Sequence, residues 1–176
     1  MIATGQNGWP VLQHGSDKLH TWVIPARTGT FKIRLRNGSA GFLLAHFALW
    51  FAETIEPVAG RILDDWGHAV RPVRGQMTGY SNHAPGTAED LNATEHPLGK
   101  VATFTAKQYR AIRSRLRWMR GVIRWGADYN GRKDEMHFEI VQSIAACEKE
   151  ARRLMRTPRG RRLLEANPGQ KAVILS

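Results

Sequence analysis

The sequence contains a single cysteine, Cys147, among 176 residues. One thiol excludes an internal disulfide framework and any zinc site built from several cysteines. The longest apolar run, residues 41–52, is too short to span a bilayer and contains His46, so no membrane insertion is expected. The N-terminal segment MIATGQNGWP has neither the basic start nor the apolar stretch of a secretory signal peptide. The sequence therefore predicts a protein without an export signal of its own.

Acidic residues are scarce: 15 Asp and Glu stand against 26 Lys and Arg, which gives a net charge of +11. Such a charge favours a polyanionic partner, and composition alone does not choose among a nucleic acid, an anionic membrane surface and an anionic cell-wall polymer. With 42% apolar residues the chain can fill a core, which excludes global disorder. The length suits one domain, and we expect a monomer.

Hydrophobic periodicity predicts a small number of regular elements. Alternation of apolar and basic residues predicts a strand over 30–36, and alternation recurs over 136–141. Apolar residues at helical spacing predict helices over 41–56, 105–123 and 143–156. The helix over 105–123 also carries a stripe of arginines beside its apolar stripe.

The order of these elements shows no regular alternation of strands with helices, so a doubly wound parallel sheet is not expected. An α+β domain with a small antiparallel sheet and flanking helices fits better. We expect residues 1–40 to form an N-terminal extension packed on a domain of residues 41–156, and residues 157–176 to form a basic C-terminal tail.

Two polar segments carry residues suited to a metal site, SNHAPGTAED and DEMHFE. His83 precedes a Pro-Gly turn, Asp90 follows that turn on an extended run, and His137 lies on the polar face of the second predicted strand. Two imidazoles and one carboxylate can hold zinc with one position open for water. The same set is also used by Fe(II), and the spacing by itself is equally compatible with a polar loop that hydrogen-bonds with itself.

Further side chains near these segments could take part in hydrolysis. Asp134 lies three residues before His137, where a carboxylate could act as a general base. Glu139 shares a strand face with His137 and could orient that imidazole. Arg71 or Arg74, upstream of the first segment, could stabilise an oxyanion or bind a substrate carboxylate.

Taken together, these residues resemble a known family. The pattern Ser81-x-His83-x-x-Gly86-x-Ala88-x-Asp90, followed by Asp134-x-x-His137, resembles the zinc D-Ala-D-Ala carboxypeptidase and L-alanyl-D-glutamate endopeptidase family of murein peptidases. The segment Trp125-Gly126-Ala127-Asp128 is similar to one commonly found ahead of the second motif. The segment that begins at Trp66 resembles phage lysins of this type. The resemblance covers roughly residues 40–142.

The resemblance implies a hedgehog/DD-peptidase-like fold and one zinc ion per chain, held by His83, Asp90 and His137, with Asp134 as general base. Glu135 lies one residue off the family pattern. The implied reaction is hydrolysis of an amide in the bacterial peptidoglycan stem peptide. An Asp at the base position is usual in the endopeptidase branch, so the expected bond is L-Ala–D-Glu. A D-Ala-D-Ala carboxypeptidase on the same fold is the alternative.

The resemblance to phage lysins also implies where the enzyme works. An endolysin of this kind is made in the host cytoplasm and released to the cell wall through a separate membrane lesion. The arginines of residues 107–124 and 152–162 predict binding to anionic wall polymers by a salt-dependent attraction. A nucleic-acid-binding protein is a remote alternative that the charge alone suggests, because no recognised nucleic-acid motif accompanies it, and no specific nucleic-acid partner is expected.

Overall fold

The computed structural model of this chain describes residues 3–60, 64–71 and 79–176. Its elements are β1 (Leu19–Ala26), β2 (Gly29–Arg36), α1 (Gly38–Thr54), β3 (Ala88–Asp90), α2 (Ala106–Trp118), β4 (Ile123–Trp125), a short 3-10 helix (Gly126–Asp128), β5 (His137–Ile140), α3 (Ile144–Leu154), α4 (Pro158–Glu165) and α5 (Gln170–Leu175). Two small antiparallel sheets are flanked by helices, which confirms the predicted α+β class. None of the helices in the described ranges is long and apolar enough to cross a membrane.

Helix α1 forms the centre of the core. Its residues from Ala40 to Ala52 are all buried, as expected for a helix that is apolar on every face. The rings of Phe47 and Phe51 lie 4.5 and 6.0 Å from the ring of Phe138 on β5. The helix therefore fixes the position of the strand that carries His137.

Strands β1 and β2 form a hairpin that packs on α1. Only the second of them was predicted, since β1 contains Pro25 and its sequence reads as loop. A sheet of two strands has only edges, where a proline that cannot donate a ladder hydrogen bond is tolerated. The buried side chains of Trp22 and Leu35 join the hairpin to the core. The residues expected as an N-terminal extension thus contribute to the same core as α1.

The second sheet has the order β3-β5-β4 and pairs Asp90 with His137 across β3 and β5. The helix predicted over 105–123 was expected to reach Ile123, the first residue of the edge strand β4, and that predicted end is wrong. Helix α2 ends at Trp118 because Arg120 and Gly121 adopt φ values of 58° and 67°, outside the helical region. The turn they form returns the chain along β5.

Residues 157–176, expected as a basic tail, form α4 and α5. Thr157 caps α4 by accepting a hydrogen bond from the Gly160 amide at 3.1 Å. Asn167 bonds both backbone groups of Val23 on β1, at 2.9 and 2.7 Å, and so ties this segment to the N-terminal hairpin.

Candidate metal centre

A tight turn brings His83 towards the end of β3. The Gly86 amide donates to the His83 carbonyl at 2.9 Å, and the Thr87 amide donates to the Asn82 carbonyl at 3.0 Å. Gly86 has a φ of 70°, and a Cβ there would lie 2.7 Å from the Arg36 amide nitrogen of β2. Only glycine meets both conditions, so the Pro-Gly pair in the sequence reflects a turn that packs closely on the hairpin.

His83, Asp90 and His137 converge at one point, and all three side chains are buried. The Nε2 atom of His83 lies 3.2 Å from Nδ1 of His137 and 3.2 Å from Oδ1 of Asp90, and the last two atoms are 2.7 Å apart. Two ligand atoms bound to zinc in tetrahedral geometry are separated by about 3.3 Å. The donor atoms of this chain therefore have the chemistry and the spacing that a divalent cation requires.

Both imidazoles are oriented by a second hydrogen bond on the far side of the ring. Nδ1 of His83 lies 2.7 Å from the Gly67 carbonyl. A carbonyl only accepts, so this nitrogen carries the proton and Nε2 presents its lone pair to the centre. Nε2 of His137 lies 3.3 Å from the carboxylate of Glu139, which leaves Nδ1 to face Asp90. Such outer hydrogen bonds are typical of histidines that bind metals.

The electrostatics of the centre favour a positive charge. Burial raises the pKa of Asp90, but the neighbouring His83 and His137 outweigh it and hold that pKa well below its usual range. Burial lowers the pKa of His137, but hydrogen bonds to Asp90 and Glu139 outweigh it and raise that pKa to about 10. Glu89 is fully buried, which raises its pKa well above normal. The pocket thus stabilises either a proton or a metal cation between these ligands.

Further hydrogen bonds hold the carboxylate of Glu139 beside His137, the position from which it could orient that imidazole. Its Oε2 accepts from the Asn82 amide at 2.6 Å, and its Oε1 accepts from Arg124 Nε and from the Tyr129 hydroxyl, each at 2.8 Å. Burial raises the pKa of Glu139, but the contacts with His137, Arg124 and Tyr129 outweigh it and lower that pKa to about 2. Sequence reasoning did not find the part that Asn82 plays, although Asn82 stands next to His83 in the first motif.

Asp134 and Glu135 are neighbours with different environments. Asp134 is half-buried and lines a cleft of about 390 Å³ together with the three candidate ligands. Glu135 is buried away from this cleft, where its carboxylate accepts from the amides of Ala102 and Thr103 at 2.8 and 2.9 Å and from the Tyr109 hydroxyl. The structure therefore brings Asp134, and not Glu135, to the candidate site.

Arg71 also lines the cleft. Its Nη2 atom lies 3.6 Å from Oδ2 of Asp90, and a third of its side chain remains exposed. Arg74, the other arginine considered from the sequence, lies outside the described residues.

The other histidines do not line the cleft. His46 lies in α1, where its Nδ1 accepts from Arg115 at 2.9 Å and its Nε2 lies 3.2 Å from the Thr157 hydroxyl. His96 is bonded at 2.7 Å on each side, to Thr103 and Glu56, and His68 donates from Nε2 to the Leu12 carbonyl at 2.8 Å. These contacts connect all three histidines to other parts of the fold.

Comparison with known proteins agrees with this geometry. Residues 74–140 match the model of a protein family described as D-alanyl-D-alanine carboxypeptidase. The matched segment, which is less than half of the chain, contains His83, Asp90, Asp134 and His137. No curated protein and no solved structure gave a match to the chain. The family match supports a peptidoglycan-related metallopeptidase, and the members of this family depend on zinc.

Proposed function

We propose that this protein is a zinc-dependent peptidase that hydrolyses the L-Ala–D-Glu amide of the bacterial peptidoglycan stem peptide. The observation that carries the proposal is the convergence of three buried ligand atoms, all within 4.8 Å of one another, in a cleft that Asp134 also lines. The family match over the same residues supports the peptidase class. The choice of this bond rests on the aspartate at the position of the base.

In the proposed mechanism His83, Asp90 and His137 hold one zinc ion, which when bound acidifies water and polarises the scissile carbonyl. Asp134 accepts a proton from the attacking water. When the carbon–nitrogen bond breaks, the same carboxylic acid returns that proton to the leaving amine nitrogen. Arg71 binds negative charge in the cleft, either on the developing oxyanion or on a substrate carboxylate.

A D-Ala-D-Ala carboxypeptidase is the second candidate, and the description of the matching family favours it. The position of Arg71 suits this reaction as well, because a guanidinium in the cleft can bind the terminal carboxylate of the substrate. The two reactions differ in their products. An endopeptidase creates a new D-Glu amino terminus, whereas a carboxypeptidase releases free D-Ala.

The decisive experiment combines zinc analysis with mass spectrometry of the products from purified peptidoglycan. The variants are His137→Ala, which removes a ligand, and His14→Ala, which changes an exposed histidine outside the cleft. One zinc per chain and new D-Glu termini, retained in His14→Ala and lost in His137→Ala, are expected. Release of free D-Ala would instead support the D-Ala-D-Ala carboxypeptidase. Absence of both zinc and cleavage in the wild-type protein would refute it.

We also propose that the enzyme serves as a phage endolysin, synthesised in the host cytoplasm and released to the wall. The resemblance of the segment that begins at Trp66 to phage lysins supports this role. Expression in a bacterial cytoplasm should leave cells intact until the inner membrane is permeabilised, after which turbidity should fall. Lysis without permeabilisation, or none after it, would contradict this role while leaving the chemistry untouched.

A further inference from the structure

The arginines in the described part of the chain divide into two sets, those that have an acidic partner there and those that have none. On α2 and after it, Arg113 pairs with Asp128, and Arg124 pairs with Glu139. Near the C-terminus, Arg153 pairs with Glu150, and both Arg159 and Arg162 pair with Glu53. Much of the basic stripe that the sequence shows is therefore neutralised within the fold.

Four cations of the C-terminal segment, residues 144–176, have no such partner within the described residues. They are Arg152, Arg156, Arg161 and Lys171, all exposed, and none takes part in an ion pair there. All four line one groove of about 750 Å³ between α3, α4 and α5, which we call the C-terminal groove. Glu165 is the one carboxylate among its lining residues. Unpaired cations that line one concave groove create a concentrated positive potential there.

The remaining lining of the C-terminal groove is aliphatic: Met155, Leu164 and Leu175. A ligand that fits must therefore combine negative charges with an apolar carbon backbone. The groove has no aromatic side chain among its lining residues, whereas proteins that bind single-stranded nucleic acids stack the bases on aromatic rings. A concave groove also suits a chain better than the flat surface of a bilayer.

We propose that the C-terminal groove binds a phosphodiester polymer of the bacterial cell wall. Arg152 lies on α3 and Arg156 four residues later, in the turn that joins α3 to α4, and both line the groove, so their two guanidiniums can contact phosphates of one such chain. The groove shares no lining residue with the cleft of the metal centre. The polymer would therefore hold the enzyme at its substrate without blocking the peptide. This inference rests on the proposed peptidoglycan substrate for its biological setting but not for the binding itself.

The test compares two double variants that change net charge equally. Arg152→Gln with Arg156→Gln removes two cations of the C-terminal groove. Arg110→Gln with Arg117→Gln removes two exposed cations of α2 that have no ion pair within the described residues and do not line this groove. The probe is labelled poly(glycerol phosphate), titrated over a series of salt concentrations.

We expect the groove variant to bind this polymer about tenfold more weakly, with a shallower dependence on salt, and the α2 variant to stay within about twofold of the wild type. Equal losses in both variants would reduce the effect to net charge and overturn the proposal. Stronger binding of single-stranded DNA or of phosphatidylglycerol vesicles than of the polymer, lost in the groove variant alone, would overturn it in favour of that ligand.

Hydrolysis of a soluble stem peptide separates this inference from the proposed function. The groove variant should cleave the peptide at the wild-type rate, because none of its substitutions lies in the cleft. If no form of the protein cleaves the peptide but the groove variant still shows weaker binding of the polymer, the proposed function fails and the binding site stands. If cleavage is normal and the polymer is bound equally by all forms, the binding site fails alone.

Discussion

Glu139 and His137 project from the same strand, and Oε2 of Glu139 lies 3.3 Å from Nε2 of His137. The carboxylate fixes the ring so that the opposite nitrogen faces Asp90 and His83. Three further groups, from Asn82, Arg124 and Tyr129, hold the carboxylate in turn. The position of the imidazole is therefore set by a hydrogen-bond network that the protein itself supplies.

Replacing Glu139 with Gln should weaken zinc binding by about 10- to 100-fold, because a neutral amide supports the imidazole less well than a carboxylate does. Competition with a chromophoric chelator measures this change directly. If Glu139→Gln binds zinc as tightly as the wild-type protein does, the network around Glu139 serves only the fold. Thermal unfolding of the zinc-free proteins provides the control for a loss of structure.

Replacing Asp134 with Asn should leave zinc content unchanged and lower kcat by about 10²- to 10⁴-fold, the range expected when a general base is removed. Asp134 lines the cleft but is not one of the three converging ligands, which is why binding and turnover should separate. Metal analysis and peptide hydrolysis on the same sample test both halves. Turnover close to the wild-type value would eliminate Asp134 as the base.

Replacing Glu135 with Gln should have the opposite effect, lowering stability and preserving kcat. The Glu135 carboxylate accepts hydrogen bonds from two backbone amides and from the Tyr109 hydroxyl. The neutral side chain of Gln carries no negative charge, so each of these hydrogen bonds becomes weaker in the variant. We expect the free energy of unfolding to fall by about 2 kcal/mol. Urea denaturation measures it, and a loss of kcat in the fully folded variant would mean that Glu135 acts in the reaction.

The sequence indicated the residues of the candidate site more completely than the elements of the fold. His83, Asp90, His137 and Asp134 were predicted because each has a specific chemistry and a fixed spacing within a short motif. The structure brings all four to one cleft, and their roles stay a prediction. Strand β1 and the true end of α2 were missed because their signals depend on context. A proline such as Pro25 is tolerated only in a strand at the edge of a sheet. The turn at Arg120–Gly121 depends on the pairing of β4, the strand that follows it, with β5.

Contacts between distant segments were also beyond prediction from the sequence. The Gly67 carbonyl orients His83, and Gly67 can approach because a Cβ there would lie 2.1 Å from the Arg34 carbonyl oxygen. No local pattern states that these two segments meet. Likewise, the sequence shows the positive charge of the arginine stripe but not which of its guanidiniums form ion pairs with carboxylates.

His46 makes the stability of the fold depend on pH. Burial first, and then the charges of Arg115, Arg159 and Arg153, lower the pKa of His46 to about 3 from 6.5. The unfolded chain binds a proton below pH 6.5 while the folded chain does not, so stability is lost as pH falls from 6.5 towards 3, by about 1.4 kcal/mol per unit.

Replacing His46 with Gln should remove this dependence, because an amide can still bond Arg115 and Thr157 but binds no proton in this range. Between pH 7.5 and 5 the wild-type protein should lose about 2 kcal/mol more of its unfolding free energy than His46→Gln does. Urea denaturation of both proteins at the two pH values gives the difference, in which the titration of all other groups cancels. Parallel losses in the two proteins would mean that His46 titrates alike in the folded and unfolded chains, and that its buried contacts with Arg115 and Thr157 place no constraint on its charge.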